Sequence, residues 1–154
     1  MNRSKAKGTA AETAVVRWAR LNGFPSADRQ PLRGNRDAGD INLAPGLVLE
    51  VKNHAGVAGA GQPAPAQLAE WMAQADLECA NAGAAHCPLV VKRTGVADPG
   101  RWFAYVRAGD VATLLGATTN LPEPLSPWQT DLRSLTRLLR WAGYGDPLPG
   151  EAVA

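Results

Sequence analysis

The sequence predicts an α/β domain with a mixed central β-sheet flanked by helices. Helical periodicity recurs near the start, in the middle and near the end of the chain. Short apolar runs of strand length lie between those segments. The order of helix, strands, helix, two strands and then helices alternates as layered α/β domains do.

Residues 1–8 read as a flexible basic arm, and residues 9–143 as one domain of 154 in the chain. Thr9 can cap a first helix that runs to about Asn22 and is ended by Gly23 and Pro25. A short strand falls in 27–34, followed by the loop Gly34 to Gly39. Residues 40–43 and 47–53 read as two strands around Ala44-Pro45-Gly46. The Gly-, Ala- and Pro-rich stretch 54–66 reads as a mobile loop. From Pro65 to about Ala82, the residues Leu68, Trp71, Met72, Ala75, Cys79 and Ala82 form a helical apolar stripe, which Gly83 ends. Strands follow at 88–93 and 101–107, then a short helix at 109–116 and a loop at 117–125. Ser126-Pro127 opens a last helix with Gln129 placed for a capping box. Trp128, Leu132, Leu135, Leu139 and Ala142 make its buried face, and 144–154 reads as an irregular tail.

Composition narrows the functional classes. No apolar run approaches the ~20 residues that span a bilayer, and no apolar stretch follows the basic start, so a cytoplasmic location is expected. Cys79 and Cys87 match no zinc spacing and read as packed, reduced thiols. The net charge of +2 hides an uneven distribution. Residues 1–37 hold eight bases (Arg3, Lys5, Lys7, Arg17, Arg20, Arg29, Arg33, Arg36) against three acids (Glu12, Asp28, Asp37). Arg133, Arg137 and Arg140 cluster near the other end. Patches of this kind suit a phosphate backbone, although solvated surface charge is the simpler reading for any single residue among them.

The chemistry concentrates in Leu47-Val48-Leu49-Glu50-Val51-Lys52-Asn53. Side chains on a strand alternate, so Glu50 and Lys52 share a face. A half-exposed strand with a cross-strand ion pair would accommodate them. The preceding strand points elsewhere. With a three-residue turn, Leu43 faces Leu47, Ile41 faces Leu49 and Asp40 faces Glu50. All apolar partners then fall on one side, and Asp40, Glu50 and Lys52 on the other. Two facing carboxylates raise one another's proton affinity, and a divalent cation between them removes that cost. Magnesium, with manganese as a substitute, favours such an open site. Lys52 can position a water or offset transition-state charge.

Gly39-Asp40-Ile41 followed by Leu49-Glu50-Val51-Lys52 resembles the core of the PD-(D/E)XK nuclease superfamily. The resemblance implies a restriction-endonuclease-like core and a metal-dependent endonuclease. Gly39 stands where that family often has proline. Lys5-Ala6-Lys7-Gly8 before a helix that carries Glu12 is similar to Holliday-junction resolvases of the archaeal type and their phage relatives. That likeness spans roughly 5–107. It implies that Glu12 joins the metal site, that the substrate is a four-way DNA junction, and that the enzyme is a homodimer with two active sites. Thr9 and Glu12 also fit a capping box.

Lys5, Lys7, Arg33, Arg36, Asn53 and Lys92 are candidate DNA contacts, read by shape and phosphate rather than by base. Asp37 and Gln67 are weaker candidates for the metal's waters, and His54 and Arg93 weaker candidates for DNA. Trp18, Trp71 and Trp128 fit helix stripes, whereas Trp102 and Trp141 fit no single role. Other nucleases of the same fold (restriction-like, repair or end-processing) and a non-catalytic DNA-binding module are the alternatives.

Overall fold

The computed structural model describes residues 3–31, 38–53, 61–118, 121 and 125–151, with side chains described from Ala6 onward. Arg33, Arg36, Asp37 and His54 lie outside the described residues, as does most of the loop expected at 54–66.

A mixed six-stranded sheet in the order β1 to β6 forms the centre. Its strands are β1 (Asp28–Arg29), β2 (Ile41–Ala44), β3 (Leu47–Lys52), β4 (Leu89–Val91), β5 (Phe103–Val106) and β6 (Trp128–Asp131). Only β3 and β4 pair in parallel. That connection contains α2 (Pro65–Ala82), since a parallel crossover needs a long connection. The other helices are α1 (Arg3–Arg20), α3 (Ala108–Leu114) and α4 (Leu132–Trp141).

Alternation along the strands divides the core into two layers. Ile41, Leu43, Leu47, Leu49 and Val51 face Val15 of α1, Val111 of α3, and Leu132, Leu135 and Leu139 of α4. The opposite face presents Leu89, Val91, Phe103 and Tyr105 to Trp71 and Met72 of α2. Val48 meets Ala75 and Cys87 on that second side. The α2 stripe therefore packs as its spacing requires, and Gly83 ends the helix in the left-handed region. Both thiols are free, with Cys87 buried and Cys79 donating to the Ala84 carbonyl at 3.3 Å.

Three expectations are corrected. First, α1 starts at Arg3, so residues 3–8 of the arm expected at 1–8 are helical and Thr9 lies inside the helix. The Thr9 carbonyl accepts from the Thr13 hydroxyl at 2.8 Å, leaving no capping box with Glu12. Lysine and alanine favour the extra turns, and Asn53 Nδ2 ties the Lys7 carbonyl to the end of β3 at 2.9 Å.

Second, residues 128–131 form an edge strand rather than the start of a helix. Strand β5 takes its outer backbone hydrogen bonds from this segment, and a tertiary partner overrides the local capping pattern. Asp131 caps α4 instead, accepting from the Ser134 N–H at 2.7 Å. Trp128 is consequently exposed, while Leu132, Leu135 and Leu139 are buried as expected. Third, the turn between β2 and β3 pairs Ala44 with Leu47 across a register shift, where a Leu43–Leu47 pair was expected. The Ile41–Leu49 pair is as expected, so the irregularity is absorbed at the turn.

The tail to Glu151 has no helix or strand, but it is docked. The Asp146 N–H donates to the Gly23 carbonyl at 2.7 Å, and Arg140 holds Glu151 at 2.5 and 2.7 Å.

Candidate active site

Because Ile41 pairs with Leu49, Asp40 lies beside Glu50 at the mouth of the β2–β3 pair. The Asp40 N–H donates to the Leu49 carbonyl at 3.1 Å. Its Oδ2 accepts from the Val51 N–H at 2.8 Å, which fixes the carboxyl against the strand. Gly39 holds a φ of 88°, a value that the proline ring cannot adopt, and a Cβ there would strike Val48. Glycine at position 39 therefore has a steric cause in this chain.

Glu50 and Lys52 point toward α2, and two residues of that helix meet them. Lys52 Nζ contacts Glu50 Oε1 and also donates to Gln74 Oε1 at 2.9 Å. The Glu50 carboxyl lies against that of Glu78, an approach that a proton on one of the two would turn into a hydrogen bond. Glu50 is 3% and Glu78 1% exposed. The match of pairs follows from element geometry. Two strand residues advance about 6.6 Å, and four helical residues about 6 Å. The i and i+2 positions of β3 can thus each meet one of the i and i+4 positions of α2.

The electrostatics are those of crowded acids. Burial, then the charge of Glu50, raises the Asp40 carboxyl to a pKa of about 7, although the Val51 N–H opposes the shift. Burial, then the hydrogen bond to Glu78, raises Glu50 to about 8, with Lys52 opposing. Glu12 also adds its charge to the rise at Asp40. Its carboxylate is engaged by Arg29, at 2.6 Å. Comparison with protein-family models, with curated proteins and with solved structures returns no match.

The remaining candidates are distributed differently. Lys5 lies on α1, in the part where only the backbone is described. Lys7 is exposed, and its carbonyl accepts from Asn53. Asn53 thus faces α1. The Lys92 N–H donates to the Lys52 carbonyl at 2.9 Å, but its ammonium lies over the Trp102 ring, 5.5 Å from the centroid. Arg93 covers Phe103 in the same way, at 4.8 Å. Gln67 bonds to Glu70 within its own helix at 3.1 Å. Arg133 pairs with Asp98 at 2.7 Å, and Arg140 is committed to the tail. Arg133 remains exposed despite that pair, and Arg137 is the most exposed of the three, its side chain 71% accessible.

Gln74 and Glu78 were missed by the sequence reading. Glu78 had a legible signal, since Trp71, Ala75, Glu78 and Ala82 fall at helical spacing and only one of them is charged. Gln74 had none, because an exposed glutamine on a helix is ordinary.

A divalent cation fits the donor set in one specific way. Among the described residues no three His, Cys, Asp or Glu side chains converge into a ready cage. Asp40 and Glu50 nevertheless offer two carboxylates whose mutual repulsion a cation would relieve. Magnesium takes one or two protein carboxylates and fills the rest of its shell with water and phosphate.

Proposed function

We propose that this chain is a magnesium-dependent DNA endonuclease of the PD-(D/E)XK type, acting on branched DNA such as a four-way junction. The observation that supports this reading is the gathering of Asp40, Glu50 and Lys52 on one sheet face, with both acids pushed toward neutral pKa values. Strong perturbation of two neighbouring acids is characteristic of functional sites.

Asp40 and Glu50 would hold the cation. Magnesium bound there supplies a Lewis acid for the phosphodiester and a bound water of lowered proton affinity. The Val51 N–H orients Asp40 and leaves its Oδ1 for a ligand. Gln74 and Glu50 hold the Lys52 ammonium from two sides, where it can direct the attacking water and offset charge on the departing phosphate. Glu12 reaches this group through its field. It becomes a ligand only by exchanging Arg29 for the cation.

That Arg29–Glu12 pair, at 2.6 Å, favours a second reading, a DNA-binding module without catalysis, because it leaves the third acid already neutralised. Incubation with a synthetic four-way junction and a matched linear duplex separates the readings. With magnesium, paired symmetric nicks near the branch are expected, and Glu50→Ala should abolish them while DNA binding persists. Equal cutting of the linear control would assign a restriction-like, repair or end-processing nuclease. Binding without cleavage in magnesium or manganese would establish the module. Light scattering of the protein with and without the junction tests the homodimer.

A further inference from the structure

Helix α4 and the chain after it line a half-open cavity of about 520 Å³. That volume lies within the roughly 300–1,000 Å³ usual for small-molecule sites. Leu115 and Leu138 line it, together with the Trp141 indole, which is 51% exposed. Its charged lining is Arg137, Arg140 and Glu151, a formal balance of two cations to one anion.

These three charges are not equivalent. Arg140 and Glu151 satisfy each other through two hydrogen bonds at 2.5 and 2.7 Å, and Arg140 gives another to the Asn22 carbonyl at 2.7 Å. Arg137 reaches Glu151 only at 3.8 Å, with its side chain 71% exposed. The cavity therefore offers a flat π surface, aliphatic walls and one guanidinium with donors to spare. A planar ring suits the indole, and a phosphate suits the guanidinium. A nucleotide carries both.

We propose that this cavity binds a nucleotide, its base stacked on Trp141 and its phosphate paired with Arg137. The site is separate from the acid cluster. Asp40 sits near Glu12 in the middle of α1, whereas the tail that walls the cavity docks at Asn22 and Gly23, beyond the end of that helix. The rise from Glu12 to Arg20 alone is about 12 Å. The same chemistry is offered by a free nucleotide and by one residue of a single strand, so the test includes both.

Calorimetric titration of the full chain would use deoxyadenosine monophosphate, deoxyadenosine, inorganic phosphate and a short oligodeoxyadenylate. The monophosphate is expected to bind, and Trp141→Ala or Arg137→Gln each to weaken it by about tenfold. Lys52→Ala should leave this affinity unchanged, which separates the cavity from the proposed nuclease site. Deoxyadenosine should bind more weakly than the monophosphate. An oligonucleotide tighter than the monophosphate identifies a strand as the source, and equal affinities identify the free nucleotide; either supports the site. Both substituted side chains are solvent-accessible, and circular dichroism checks that the variants fold. Several results would overturn the proposal: no binding of either nucleotide form, affinity unmoved by both substitutions, or phosphate alone matching the monophosphate. An oligomeric state altered by Trp141→Ala with nucleotide affinity unchanged would reassign the cavity to contact with a second copy.

Discussion

Two regions of this molecule bury charge and resolve it oppositely. At the end of α4, Arg140 has a side chain only 4% exposed and meets Glu151 through paired hydrogen bonds. Those bonds hold Glu151 down to a pKa of about 2. Along β3, Asp40 lies beside Glu50, Glu50 meets Glu78 of α2 and Lys52, and Asp40 and Glu50 rise to about 7 and 8. The first arrangement matches each charge to a partner and anchors the tail. Among the described residues the second retains more acids than cations, which suits a ligand that brings positive charge.

The largest effect that would break this contrast is catalytic. Lys52→Ala should reduce magnesium-dependent cleavage by about 10²–10³-fold, with DNA affinity retained in a mobility-shift titration. An unchanged rate would remove Lys52 from the chemistry. Next comes a stability gain purchased with function. Replacing the pair together, Glu50→Leu with Lys52→Met, exchanges buried charges for apolar side chains and should stabilise the metal-free protein by about 1–4 kcal/mol in urea unfolding, with loss of cleavage. A destabilised variant would show that the Glu50–Lys52 contact outweighs the crowding.

Acidity should sharpen the comparison further. Asp40 and Glu50 have folded pKa values above their ordinary 3.8 and 4.5, so between those limits the folded state binds more protons than the unfolded. Stability of the metal-free protein should therefore fall as pH rises from about 4.5 through 7 and 8. Magnesium should raise the melting temperature more at pH 8 than at pH 5.5. Glu151 has the opposite sign. Its contribution is present above its ordinary 4.5 and is lost as pH falls toward about 2, which local tail proteolysis would detect. The smallest effects concern caps away from both regions. Asp131→Ala should cost about 1 kcal/mol. Thr9→Ala should stay within about 0.5 kcal/mol, because Thr9 lies inside α1.

The legible parts of this structure share a physical feature. Alternation along β2 and β3 assigned Ile41, Leu49 and Val51 to one face and Glu50 and Lys52 to the other, because a one-residue slip would have buried the wrong set. The α2 boundaries were equally clear, since Pro65 can start a helix and Gly83 can end one. Strand β6 was not legible. Ser126, Pro127 and Gln129 carry a helix-start pattern, and only the open edge of β5 makes them extend.

The candidate site divides along the same line. Asp40, Glu50 and Lys52 could be assembled on paper because they lie on paired neighbouring segments, where local periodicity controls side-chain direction. Gln74 and Glu78 lie more than twenty residues away, and their approach depends on how α2 crosses the sheet. The engagement of Glu12 by Arg29, and the commitment of Arg140 to Glu151, likewise depend on docking between distant segments. Sequence alone determined which side chains share a strand face, since backbone geometry leaves two directions. Tertiary packing decided which charges meet, because a long side chain has many reachable partners until the layers close around it.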